Sequence, residues 1–268
     1  MVEATDSHNY IVNFSKAKRL GLNHPKCGTL IINKKTHDSM PLLQIDNDVL
    51  KQITTTKFLG DMVNEKGDNK DLIADRVKKG KAVIVNCMSL CSEITMGTHY
   101  VKAALTLYNS VFVSTLLFNC QAWTNLLKDD VKKLETIQLK YLKRILRAPQ
   151  STSNCFVYLE LGILPISYVI DIRQLSFLHH ILLLGENDPV RRIYNEQLSL
   201  PYEKNWGNHI KHLLVTHNLQ DTDPATISGD SWKKKVKEVV TNFAFMKLKE
   251  EAKHKSKTKH LDYTTFTT

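Results

Sequence analysis

The sequence predicts a mainly α-helical protein with a small α+β segment confined to its first 66 residues. Three observations carry this. Apolar residues recur at steps of three and four across 70–94, 98–123 and 128–147. The short strand-like runs all lie before Gly67. The later polar breaks are loop-like, and no internal repeat is present. A chain of 268 residues that is 42% hydrophobic and 24% charged has the composition of a globular protein and is long enough to bury a core.

In chain order, 8–20 places Tyr10, Ile11, Phe14, Ala17 and Leu20 at helical spacing, and Gly21 suits the stop. Strands are expected at 28–33 and 41–46, with a turn at Asp46-Asn47. A further strand is expected over "TTTKFLGDMVNEKG" (54–67), so that 1–66 reads as a helix followed by a small antiparallel sheet. Gly60 interrupts that last strand, where glycine costs stability. Either a bend allows another backbone to come close, or a sheet edge tolerates the residue.

From Gly67 the pattern turns helical. Ile73, Val77, Gly80, Ile84, Cys87 and Cys91 share one stripe, and Val101, Leu105, Tyr108, Phe112, Thr115 and Leu116 share another. A third helix over 128–147 carries Asp129 and Asp130 in its first turn and Pro149 beyond its end. These three make a bundle spanning 67–150, with a core that includes Ile73, Val77, Leu105, Phe112, Leu134, Tyr141 and Ile145. In 151–230, "LELGILP" forms a corner with Gly162 as stop and Pro165 as start, followed by a long apolar helix over 166–184. In 231–268 a helix from Ser231 runs into a lysine-rich tail. Ten lysines within 233–260 face only Glu238, Glu250 and Glu251.

The formal net charge of +10 favours an anionic partner, of which nucleic acid is the commonest. The third helix concentrates this charge. Advancing about 100° per residue from Lys132 places Lys133, Lys140, Lys143, Arg144 and Arg147 within about 120°, opposite Val131, Leu134, Tyr141 and Ile145. A solvated helix mixes glutamates into such a stripe, and here only Glu135 is near. The row therefore reads as a face that grips phosphates without reading bases.

Five scattered cysteines, Cys27, Cys87, Cys91, Cys120 and Cys155, give no disulfide-dense or metal-binding spacing and fit a reduced, intracellular setting. Cys87 and Cys91 are four apart on a helix but fall on its apolar stripe, as buried thiols do. No signal peptide opens the chain. No run of about 18 uninterrupted apolar residues is present, so no membrane role is expected.

A polymerase-type site needs carboxylates converging on divalent metal. Asp129-Asp130 is the one adjacent acidic pair of that look, and it sits at a helix N-terminus where capping explains it. Asp46, Asp48, Asp61 and Glu65 have turn or edge roles. The His179-His180 pair lies in an apolar helical run, one side chain facing in and one out. No P-loop, HExxH, GxSxG or zinc-finger spacing is present, and no small-molecule substrate is evident.

The order of the segments resembles the reverse transcriptases of non-LTR retrotransposons. "LGLNHPKC" (20–27) is similar to that family's fourth palm motif, and "TKFLG" (56–60) to its primer grip. "LYNSVFVSTLLFNCQAW", "LETIQLKYLKRILRAPQSTSNCFVYLELGILP" and "RQLSFLHHIL" resemble its thumb and post-thumb region, and "KEEAKHKSKTKHLDY" a basic linker found in some members. The resemblance covers most of 15–265. It implies a palm edge in 1–66, a thumb-like bundle in 67–150, a helical post-thumb region in 151–230 and a basic tail in 231–268. It implies that Lys26 matches the palm lysine that protonates the leaving pyrophosphate, that Phe58, Leu59 and Gly60 grip a primer end, and that Gly60 serves close backbone approach. The partner it implies is RNA or an RNA–DNA duplex, in an intracellular and possible nuclear setting.

The family's metal-binding aspartates should lie just before the helix at 8–20, so the resemblance also implies a fragment. Such a fragment needs no cofactor and does not polymerise alone, Mg²⁺ belonging to the intact parent enzyme. Two other classes stay open, the inert product of a decayed retroelement and a helical protein-interaction scaffold built on the long apolar helix.

Overall fold

The computed structural model describes residues 2–33, 43–45, 48–92, 94, 97–124, 126–201 and 204–255. The expected Asp46-Asn47 turn, parts of the strands expected at 41–46, and the tail beyond Lys255 lie outside the described residues. The protein is mostly helical, as expected. It divides into two compact units, Met1–Leu72 and Ile73–Thr268.

The first unit opens with α1 (Val2–Ala17). Gly21 does not stop this helix. Arg19 takes the left-handed conformation at φ 54°, and Leu20 N–H closes onto the Ser15 carbonyl at 2.8 Å, so the reversal comes two residues earlier. The apolar positions read from spacing, Tyr10, Ile11 and Phe14, are exposed, while Val12 and Ser15 face inward. A short 3₁₀ turn, His24–Lys26, leads into β1 (Gly28–Thr29). The remaining strands are β2 (Gln44–Ile45), β3 (Asp48–Val49), β4 (Lys51–Gln52), β5 (Thr55–Phe58) and β6 (Asp61–Asn64).

The single antiparallel sheet expected here is absent among the described residues. The strands form three separate pairs, β1 with β4 parallel, β2 with β3 antiparallel and β5 with β6 antiparallel. Asn64 ties the last pair to the following helix. Its Nδ2 donates to Asp68 at 2.8 Å and to Asp71 at 2.9 Å, while its Oδ1 accepts from Asp68 N–H. These bonds hold the Asp68 carboxyl below its ordinary range.

Helix α2 (Lys70–Cys91) carries the chain into the second unit. Its stripe packs as the spacing predicts, with Ile73, Ile84, Cys87 and Cys91 buried. Gly80 permits a close approach. A Cβ there would meet Ile137 Cγ2 and Leu116 Cδ1 at 3.1 Å each. Helix α3 (Thr98–Leu107) passes into a π-helical turn, Tyr108–Phe112, and then α4 (Val113–Leu116). Tyr108 and Phe112, four residues apart and so on one face, both point inward, their rings 5.4 Å apart and each against Tyr141 of α5 (Lys128–Ile145). The expected core residues are buried, except that Val77 and Leu105 are half-exposed.

Beyond α5, α6 (Asn154–Leu161) ends at Gly162 with φ 61°, and Pro165 caps α7 (Ile166–Leu183), which makes the corner read from sequence. Helices α8 (Pro189–Ser199), α9 (Trp206–Thr216) and α10 (Gly229–His254) complete the unit. Helix α7 is the axis of its core. Within it only His180 and Leu183 are exposed, so its apolar character reflects burial and not an open docking face. Trp232 Nε1 donates to the Leu175 carbonyl at 2.8 Å and anchors α10 on α7. His179 is buried against the Ile227 carbonyl while its neighbour His180 faces out. Among the described residues, no single helix is long and apolar enough to cross a membrane.

Candidate nucleic-acid interface

The cationic face is built on α5, and the helix is positioned by its opposite side. Leu134, Tyr141, Leu142 and Ile145 are at most 1% exposed, which fixes the rotation of the helix and turns Lys132, Lys133, Lys140 and Arg144 outward. Its start is fixed by Asp130, whose carboxylate accepts from Leu127 N–H, the capping role expected for the Asp129-Asp130 pair.

Buried Gln138 locks the rotation further. Its Nε2 donates to Tyr108 Oη and to the Leu164 carbonyl, both at 2.7 Å. Its Oε1 accepts from Tyr158 Oη and Ile166 N–H, both at 2.9 Å. Both donors and both acceptor sites of the amide are used, so its desolvation is fully offset. No motif in the sequence points to this residue. Its only signal is a polar side chain on the apolar side of the wheel.

One member of the expected row, Lys143, is corrected by the structure, and another, Lys133, stays exposed beside a carboxylate. Lys143 is only 6% exposed and donates to the Gln150 carbonyl at 2.8 Å. The wheel placed it outside, but the chain reverses at Arg147, with φ 49°, and the following loop folds back over it. Burial lowers the Lys143 ammonium below its ordinary range. Lys133 is exposed, yet its Nζ lies 3.3 Å from Asp130, so part of its charge is answered within the helix. Glu135 is turned aside. It accepts from Ser167 Oγ at 2.9 Å, and burial raises its carboxyl above the ordinary range.

The row that remains is Lys132, Lys140, Arg144 and Arg147, all exposed and, among the described residues, without a carboxylate partner. From Lys132 to Arg144 it spans about 18 Å at 1.5 Å per residue. Arg147 continues it just past the helix, its guanidinium 6.0 Å from the Tyr100 ring centre.

In the first unit, Lys26 is exposed on the turn before β1. Phe58, Leu59 and Gly60 form the tip of the β5–β6 hairpin, with Phe58 64% and Leu59 77% exposed. Leu59 and Gly60 are its two turn residues at φ 46° and 95°, the I′ arrangement that matches strand twist. Gly60 is therefore not inside a strand, and turn geometry alone accounts for it. The close backbone approach is not needed as its explanation. All five cysteines are free thiols, and Cys87, Cys91, Cys120 and Cys155 are buried.

Among the described residues, no group of three or more His, Cys, Asp or Glu side chains is arranged to hold a metal ion. No protein-family model, curated protein sequence or solved structure matches the chain.

Proposed function

We propose that this chain is a nucleic-acid-binding protein of the non-LTR reverse transcriptase kind, gripping RNA or an RNA–DNA duplex through its phosphates without reading sequence. The observation that carries this is the exposed, carboxylate-free row Lys132, Lys140, Arg144 and Arg147 on a helix whose opposite face is locked in the core. Cations spaced along a rigid helix suit contact with successive phosphates, and phosphate contacts carry no sequence information of their own.

The test is the salt dependence of binding. If all four cations contact phosphate, the slope of log K against log salt is about −3 to −4, at about 0.9 per contact. Changing Lys132, Lys140, Arg144 and Arg147 together to Gln should weaken binding to all sequences alike and flatten that slope. The circular dichroism spectrum should stay unchanged. An unchanged slope in the folded quadruple variant would assign any binding to the lysines of α10 and the tail. Lys143 is left intact because it is buried.

A further inference from the structure

We infer that α8 is a self-association surface through which a second copy of this chain docks antiparallel, α8 against α8. Three observations converge on it. The first is an unpartnered apolar stripe. Val190 and Ile193 are 45% and 54% exposed and lie three residues apart on one side of the helix. The stripe borders a recess of about 150 Å³ floored by Phe177, Ile181 and Trp206, so a partner has somewhere to seat side chains.

The second observation is charge that complements itself. Arg192 and Glu196 are both exposed and lie on one edge of the stripe. They are four residues apart, yet no ion pair joins them. In an antiparallel pair related by a two-fold axis, each edge meets its own copy with direction reversed. Reversal about position 194 sets Arg192 level with the opposing Glu196. It also brings the two Ile193 side chains within two residues of the same height, about 3 Å along the axis. One registry therefore brings both charge pairs and the two Ile193 side chains together.

The third is that the face is held rigid from behind. Tyr194 packs edge-on against Trp206 with ring centres 5.9 Å apart, and the Arg191 guanidinium sits over the same tyrosine. Asp188 caps the helix by accepting from Val190 N–H at 2.8 Å. Association thus costs little ordering of the helix itself.

Helix α8 is about 16 Å long at 1.5 Å per residue. One such helix with its recess falls short of the roughly 800 Å² per partner typical of stable complexes, so the association is weak and concentration-dependent. The experiment is sedimentation equilibrium of the nuclease-treated full chain from about 1 to 100 μM, a range that brackets weak self-association by mass action. The weight-average mass should rise toward that of a dimer. Ile193→Glu should hold it at the monomer with the helical circular dichroism unchanged. Arg192→Glu and Glu196→Arg should each raise the dissociation constant about three- to tenfold, as rim pairs do. The double exchange, Arg192→Glu with Glu196→Arg, should restore it, because each charge then meets its exchanged partner. A monomer throughout the range overturns the inference. So does a dimer indifferent to Ile193→Glu, and so does a double exchange no better than the single ones.

Discussion

At the scale of single residues, the second unit depends on polar groups that sequence patterns do not advertise. Gln138 joins α5 to the π turn, to α6 and to the first turn of α7 through four hydrogen bonds. Gln138→Ala leaves two tyrosine hydroxyls, a carbonyl and an amide without that partner. The expected loss is about 2–4 kcal/mol, at 1–3 per stranded buried group with partial relaxation, read from urea unfolding. Glu135 behaves oppositely. Burial raises its carboxyl, so the folded state holds the proton more tightly than the unfolded chain. Stability therefore declines as pH rises from the ordinary carboxylate range to the raised folded value. Glu135→Gln keeps an acceptor for Ser167 and should be the more stable protein above that window and no better below it. Unfolding midpoints at pH 4 and 7 check this, with pH 4 near the ordinary glutamate value of about 4.3. Lys143 shows what a wheel misses, since the Gln150 carbonyl that takes its ammonium comes from beyond the helix.

At the scale of elements, helices were legible and strands were not. The helix expected over 128–147 is found at Lys128–Ile145, and the one expected at 166–184 is found at Ile166–Leu183. Both carry long apolar stripes between clear stop signals, so the helical period has many residues in which to show itself. The run 54–67 instead contained two strands and a turn, because a two-residue hairpin leaves no polar gap to mark it. Leu59 at φ 46° is a side chain in a conformation that disfavours it, and it is exposed. Leu59→Asn should stabilise by about 0.5–1 kcal/mol through relief of the left-handed cost, whereas Gly60→Val should destabilise by about 1–3 kcal/mol. Thermal unfolding of the two variants tests both signs. Gly80→Leu should separate α2 from α4 and α5, because even a Cβ meets neighbours at 3.1 Å. A loss of about 1–3 kcal/mol is expected from such overpacking, again by urea unfolding.

At the scale of the whole molecule, the second unit joins α7, α9 and α10 through buried His217, whose Nε2 lies 3.0 Å from Asp171 and whose ring meets Phe243 edge-on, while half-buried His209 adds a second link between α9 and α7. His209 donates from Nε2 to Gln174 Oε1 at 3.0 Å, since the Gln174 amide nitrogen is already committed to the Cys120 and Trp123 carbonyls. Burial lowers the His209 pKa, with Asp171 opposing. The unfolded chain therefore takes up this proton first, and stability is lost as pH falls below about 6.5, the ordinary histidine value. Above that value the group contributes no slope. His209→Gln should flatten the urea midpoint between pH 7.5 and 5, a window that spans that ordinary value of about 6.5. Primer extension by the chain alone, with Mg²⁺ or Mn²⁺, is expected at background. Incorporation above a no-protein control that survives Lys26→Ala would overturn that expectation.

What the sequence determined by itself was the class of fold, the place of the long helices, and the gathering of positive charge on α5. These follow from periodicity and composition, which are properties of neighbouring residues. The tertiary structure alone decided which charges on α5 stay available, because a loop distant on the wheel buries Lys143 and Asp130 draws Lys133 aside. It alone decided that α7 is an interior axis and that α8 keeps an apolar edge open. An apolar stripe reads the same whether another helix covers it or solvent does, so only packing distinguishes a core from a surface.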